Sequence, residues 1–166
     1  LAGLTQFEDE LVALLPRLRR FARSLSHNTA DADDLCQVAV EKALNGRGQW
    51  LPGTRMDSWM YRIMRNAWID TARARSRAAQ TFIGEAAGLT VGDRGDKAIE
   101  ARVELSQVET AMRRLPDEQL EAIALVLVEG LAYKDAAAVL DIPMGTLTSR
   151  LVRGRQALLA ELGESV

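Results

Sequence analysis

The chain has 166 residues, 48% of them hydrophobic and 27% charged, a composition that suits one compact domain or two small ones and rules out a disordered tail. Its 21 Lys and Arg against 23 Asp and Glu leave a net charge of −2, which taken as a total argues against nucleic acid as a partner. A lone cysteine (Cys36) and a lone histidine (His27) exclude a disulfide framework, a multi-cysteine zinc site and the two-histidine metal motifs. No apolar run reaches the roughly 20 residues of a membrane-spanning helix and no signal-peptide pattern is visible, so the expectation is a cytoplasmic protein without membrane insertion.

The first segment places Phe7, Leu11, Leu14, Leu15, Leu18, Phe21, Ala22 and Leu25 at helical spacing. Pro16 falls inside it, which predicts a kink, or one helix ending near Leu15 and a second starting at the proline. Thr29 is expected to cap the next helix, with Asp31, Asp33 and Asp34 in its first turn where carboxylates suit the dipole. Leu35, Val38, Ala39 and Leu44 form its stripe, and Asn45-Gly46 ends it. Residues 46–55 carry three Gly and a Pro and read as a loop. A third helix is predicted over about 57–77, carrying Trp59, Ile63, Ala67 and Trp68.

Periodicity disappears between Gln80 and Gly95, where Gly84, Gly88, Gly92 and Gly95 mark a flexible linker. The second module opens with a helix over about 96–114, stopped by Leu115-Pro116. Asp117-Glu118 starts the next, which Gly130 closes. A short helix near 134–140 and a last one running to about Leu162 complete the chain, with Leu147, Leu151, Leu158 and Leu162 as inward candidates. There is no internal repeat and no strand-like alternation. The expected fold is all-α: two small helical domains, residues 1–78 and 96–166, joined by the linker 79–95. Each core is marginal by itself, so mutual docking or a partner surface is expected.

Charge is unevenly placed along this plan. Only three of the basic residues are Lys (Lys42, Lys97, Lys134); the rest are Arg, the side chain that forks onto phosphates, base edges and carboxylates. Residues 1–78 hold 12 basic and 9 acidic residues, for +3, whereas 79–166 hold 9 and 14, for −5. Two blocks stand out: six Arg between Arg55 and Arg77 against Asp57 and Asp70, and Arg150, Arg153 and Arg155 with no acid between Ile142 and Ala160. The second block ends a segment shaped as a helix-turn-helix. Ala136, Ala137 and Ala138 permit close approach, Leu140, Ile142 and Leu147 plug the angle, and Pro143 opens the last helix. Thr146, Thr148, Ser149, Arg150, Arg153 and Arg155 supply donors for base edges and phosphates. A structural helical hairpin remains the alternative on outline alone.

Three blocks of residues carry a family resemblance. Asp31-Ala-Asp-Asp34-Leu-Cys-Gln37 is similar to the start of region 2.2 of extracytoplasmic-function (ECF) sigma factors. Ser58-Trp59-Met-Tyr61-Arg62-Ile63-Met-Arg65-Asn66-Ala-Trp68-Ile69-Asp70 resembles regions 2.3 and 2.4. Leu115-Pro-Asp-Glu-Gln, Glu129-Gly130-Leu-Ala-Tyr133, Ala136-Ala137 and Pro143 to Arg155 resemble region 4.

The resemblance implies a sigma factor rather than an enzyme, with no cofactor. Its partners would be core RNA polymerase (β and β′ subunits), promoter DNA and an anti-sigma factor. It places polymerase binding on Asp34, Gln37 and Glu41, with Asp31 nearby, and spacings of three and four put the first three on one helix face. It assigns the −10 element to Arg65 and Asn66, with Arg62, Arg73, Arg75 and Arg77 as phosphate contacts, since Asn suits an adenine edge and Arg guanine or phosphate. Trp50, in a loop between Gly48 and Gly53, falls where the family houses a base flipped from the non-template strand; a ring folded back onto the core is the alternative. Trp59 and Trp68 read as core or partly core. The −35 element falls to Thr148, Ser149, Val152 and Arg153, with Thr146 a further donor and Arg150 and Arg155 nearer the backbone. Glu85, Asp93 and Asp96 make an acidic linker like the family segment that threads toward the polymerase active centre. Cys36 reads as a buried apolar residue and His27 as a cap contact. A helix-turn-helix regulator acting without polymerase is the competing function; it leaves the Asp34/Gln37 face and the Trp50 loop unused.

Overall fold

A computed structural model describes residues 2–81 and 100–163, with side chains over 6–80 and 106–163. Among these residues there are seven α-helices and no strand.

The stripe Phe7, Leu11, Leu14, Leu18, Phe21, Ala22 and Leu25 is buried along a helix α1, Ala2–Ser26. The helix runs through Pro16 instead of ending near Leu15, and the proline ring sits on its exposed side. A proline inside a helix costs roughly 3 kcal/mol, whereas each large apolar side chain buried on either side of it contributes about 1.5–3 kcal/mol. Leu11 and Leu14 before it and Leu18 and Phe21 after it therefore hold the helix together.

His27, at φ 66°, turns the chain out of α1 with its N–H on the Arg23 carbonyl at 2.9 Å. Helix α2, Thr29–Asn45, is capped by Asn28 and not by Thr29 as expected: the Asn28 side chain accepts from the Asp31 N–H and donates to the Asp31 carboxylate, both at 2.8 Å. Asn is among the strongest N-caps, and here it satisfies both the orphan donor and the first-turn acid. The expected loop 46–55 contains a 3-10 turn, Arg47–Gln49, and delivers Met56 to helix α3, Met56–Thr81. Of the expected linker, residues 79–81 complete α3, while Glu85, Asp93 and Asp96 lie outside the described residues.

The second module comprises α4 (Glu100–Arg113), α5 (Asp117–Ile123), α6 (Tyr133–Leu140) and α7 (Met144–Glu161). Helix α5 continues into a π-helical turn, Ala124–Val128, in which the Glu129 N–H reaches back five residues to the Ala124 carbonyl at 2.9 Å. Gly130, at φ +77°, ends it. Asp141, at φ 57°, makes the turn between α6 and α7, a left-handed position that Asp tolerates better than most residues. Ala136 and Ala137 are buried in that corner, whereas Ala138 is exposed. Leu147 and Leu151 are buried, and Leu158 and Leu162 partly so. Gly154 lies where α7 crosses α5: a Cβ there would meet Ile123 Cγ1 at 2.9 Å.

The two modules dock. Their buried side chains form one connected cluster, with α1 against α5 and the π turn, and α3 against α6. The ion pairs across this junction are one-sided. Arg20, Arg55 and Arg65 of the first module meet Glu129, Asp135 and Glu121 of the second. The opposite net charges of the two halves are thus partly spent on each other.

Candidate nucleic-acid interface

Helix α7 divides cleanly around its axis. Leu147, Leu151 and Gly154 pack inward, while Thr148, Ser149, Val152, Arg153 and Arg155 share the exposed side and Thr146 and Arg150 flank it. The division follows from 100° per residue: 147, 151 and 154 lie on one side, 148, 152 and 155 on another. Val152 is half-exposed at 50% on that face. The Thr148 hydroxyl donates to the Met144 carbonyl at 2.9 Å, and Arg150 sits 3.8 Å from Glu118, a distance at which an exposed pair contributes little. An exposed helix end bearing hydroxyls and guanidinium groups, supported from behind by a second helix at a tight turn, has the dimensions to enter a major groove.

The second candidate surface lies on α3. Arg62, Asn66, Arg73, Arg75 and Arg77 are exposed along it. Arg65 is not: it is half-buried at the junction, donating from Nε to Glu121 at 3.0 Å. Arg75 clamps Asp31 with two bonds of 3.0 and 2.7 Å and lies over the Trp68 ring at 5.9 Å. Asp31 and Arg75, assigned from the sequence to different partners, are therefore bonded to one another. The hydrogen bonds from Arg75 and then Asn28 hold the Asp31 carboxyl below its ordinary pKa.

Trp50 is where the structure departs furthest from expectation. Its indole is 6% exposed, meets Phe7 edge-on at 5.8 Å, and buries Nε1 with no hydrogen-bond partner among the described residues. The ring is packed into the core, as in the alternative reading, and is not displayed on the surface of the loop. Phe7 already needed a neighbour to exclude water, and the gain from burying two rings exceeds the roughly 1–3 kcal/mol lost at one unpaired N–H. Trp59 joins the same group, its ring 6.0 Å from Phe7, and with Trp68 is partly buried.

On α2, Asp34, Gln37 and Glu41 line one exposed face, with Val38 among them at 38% exposure. Behind it Ala32, Leu35, Cys36, Ala39 and Ala43 pack inward. Burial raises the Cys36 thiol pKa and, with Arg113 nearby, lowers that of His27. The His27 carbonyl accepts from Arg113 at 3.4 Å.

Residues 11–78 match the family model Sigma-70 region 2, and residues 105–158 match Sigma-70, region 4. Over 154 residues the chain is 36% identical to the ECF RNA polymerase sigma factor EcfG of Rhodopseudomonas palustris, covering 93% of this chain and 83% of that protein. The chain belongs to the ECF sigma factor family. This family is one of non-catalytic transcription initiation factors, and the sigma factor described here is also 36% identical over 148 residues to SigM of Mycobacterium tuberculosis, covering 89% of this chain and 72% of that one. Among solved structures it superimposes on the sigma factor RpoE in complex with the anti-sigma factor NepR from Bartonella quintana. That match has a TM-score of 0.83 and 31% identity, over 95% of this chain and 97% of that one. The fold is shared with CnrH in complex with the cytosolic domain of CnrY, at a TM-score of 0.68 and 24% identity. No helix among the described residues is long and apolar enough to cross a membrane.

Several working residues escaped sequence reasoning. Arg20, Tyr61 and Glu129 meet at the junction: the half-exposed Arg20 donates to both oxygens of the buried Glu129 at 2.9 and 2.8 Å, and the buried Tyr61 hydroxyl donates to one of them at 2.7 Å. Glu129 and Tyr61 stood in the motif blocks without an assigned role, and a further hint was an acid set among apolar neighbours, after Val128 and before Gly130-Leu131. Gly154 appeared merely as the spacer between two Arg.

Proposed function

We propose that this sigma factor recruits core RNA polymerase through the α2 face of Asp34, Gln37 and Glu41 and directs it to promoters. Residues 1–78 form the module for polymerase and the −10 element, and residues 96–166 the module for the −35 element. On the first module Arg62 and Asn66 are offered to the −10 DNA, with Arg73 and Arg77 along the adjacent backbone. Arg65 and Arg75 reach DNA after exchanging Glu121 and Asp31 for it. On the second module Thr148, Ser149, Val152 and Arg153 face the −35 bases, with Thr146, Arg150 and Arg155 beside the phosphates. The observation that carries the reading is the clean division of α7, whose outward side bears hydrogen-bond donors and Val152 for base edges while its inward side is locked to α5 and α6.

An anti-sigma factor is the expected protein partner, since RpoE, similar over nearly the whole chain, is seen in complex with one. Free DNA binding is weak, because the net charge is −2 and several Arg are already paired with acids. The test is transcription in vitro with added core polymerase and mapping of start sites. Starts that depend on this protein and share −10 and −35 sequences are the expected result. Absence of core binding together with unchanged start-site choice overturns the reading, and DNA binding without any effect of core favours a stand-alone regulator.

A further inference from the structure

We propose that Thr148 and Val152 read the −35 element through thymine methyl groups, so that this element presents thymines on neighbouring base pairs to one side of α7. The proposal rests on the promoter reading above and names the base chemistry that the helix selects. The outward side of α7 carries two parallel rows, each of two residues four apart: Thr148 with Val152, and Ser149 with Arg153. All four are exposed. The second row is polar, with a hydroxyl and a guanidinium for phosphates and guanine edges. The first row is apolar in what it can offer. Val152, 50% exposed, presents only methyl groups. Thr148 is polar by composition, yet its hydroxyl proton is committed within the helix, donated to the Met144 carbonyl at 2.9 Å. What remains for a partner is its methyl group and an oxygen that can only accept.

Position turns these side chains into a readout. A half-exposed valine by itself is ordinary. Here it stands one turn beyond a threonine whose donor is spent, on a segment with Arg150, Arg153 and Arg155 and no acid between Ile142 and Ala160. Such a surface suits a polyanion that carries an apolar feature between its phosphates. In the major groove that feature is the thymine C5-methyl group, which no other base carries. Breaking the bond from Thr148 to Met144 in order to donate to a base would exchange one hydrogen bond for another of similar strength. Keeping that bond and adding a methyl contact is a net gain. Residues four apart on a helix hold their Cβ atoms about 5–6 Å from each other, and successive base pairs stack about 3.4 Å apart, so the two side chains reach neighbouring steps. Gly145 lies on the same outward side with open space around it, which lets the start of α7 seat closely against the bases.

The test uses holoenzyme assembled from the full chain and core polymerase, on the promoter fragment most used in start-site mapping. Each thymine of its −35 element, on either strand, is replaced in turn by deoxyuridine, which removes the methyl group and leaves every hydrogen-bonding edge intact. At two neighbouring base pairs the replacement should weaken binding about fourfold each, the effect of one buried methyl group. Val152→Ala should lower affinity and remove the deoxyuridine effect at one of these base pairs. Thr148→Ser, which keeps the hydroxyl and lacks the methyl, should remove it at the other, whereas Thr148→Val, which keeps the methyl shape and lacks the hydroxyl, should retain it. Melting curves matching the parent separate the loss of a contact from the loss of the fold. A −35 element without neighbouring thymines overturns the proposal, and so do deoxyuridine replacements without effect. It is overturned equally if Thr148→Ser keeps the effect and Thr148→Val loses it, for then the hydroxyl does the reading. Binding that does not depend on the −35 element at all overturns the promoter reading and this proposal with it; dependence on the element without a methyl effect overturns this proposal alone.

Discussion

Gly154→Ala inverts the usual expectation for a helical glycine. Replacing Gly by Ala inside a helix ordinarily stabilises by roughly 0.5–1 kcal/mol, because Ala has the better helix propensity. At this crossing the new methyl would lie 2.9 Å from Ile123 Cγ1, 3.2 Å from Ile123 Cδ1 and 3.4 Å from Gln119 Cβ. Ile123 is 1% exposed, on a helix locked into the second module's core, so it has no free space to enter. Overpacking of this kind costs typically 1–3 kcal/mol, which exceeds the propensity gain and leaves a net loss of about 1 kcal/mol. For a chain of this size that corresponds to a fall of about 2–4 °C in the unfolding midpoint. Thermal unfolding followed by circular dichroism measures it, with Gly145→Ala as comparison, since Gly145 on the same helix has open space around its Cα. Gly154→Ala should fall below the parent and Gly145→Ala should not. A Gly154→Ala protein more stable than the parent would refute the close-crossing argument.

Arg153→Ala should weaken −35 duplex binding by about 1–3 kcal/mol and leave core polymerase affinity unchanged; equal loss of both would point to a folding defect. Trp50→Ala should lower stability by about 3–5 kcal/mol in the absence of any DNA, and an unaltered melting curve would remove Trp50 from the core. Asn28→Ala should cost about 1 kcal/mol and Thr29→Ala much less, with the reverse order restoring Thr29 as the cap. At Asp57, burial acts to raise the carboxyl pKa, but hydrogen bonds from Arg55 and Arg17 prevail and hold it below its ordinary value. A depressed carboxyl stabilises the fold fully above the unfolded value of about 3.9 and loses that contribution as pH falls through the lower folded one. Urea midpoints should therefore drop more steeply below about pH 4 in the parent than in Asp57→Asn; parallel curves would show that this carboxylate does not couple to folding.

The elements themselves were written locally. Apolar residues three and four apart mark α1, α2, α3 and α7, and turn residues at Gly46, Pro116 and Gly130 divide them, because a helix face repeats within a few residues whatever it later packs against. The outward side of α7 was legible for the same reason: once Leu147 and Leu151 point inward, Thr148 and Val152 must point out. The motif blocks that led to the family sit on these segments.

Tertiary structure decided which polar groups are free and which are used. Arg20 and Glu129 are separated by 109 positions, and Arg65 and Glu121 by 56; no local pattern distinguishes an Arg waiting for phosphate from one already holding a carboxylate. The same holds for Asp31, taken up by Arg75, and for Trp50, whose loop offered no sign that Phe7 lay beneath it. Whether Pro16 breaks a helix, and whether Gly154 is a spacer or a contact, likewise depends on what packs from elsewhere in the chain. The net charge of −2 came from the composition, but its meaning came from the fold: cations and anions of the two halves meet across the module junction, while the outward Arg of α7 remain for another partner. Helical period is a property of neighbours in sequence, and charge pairing is a property of neighbours in space.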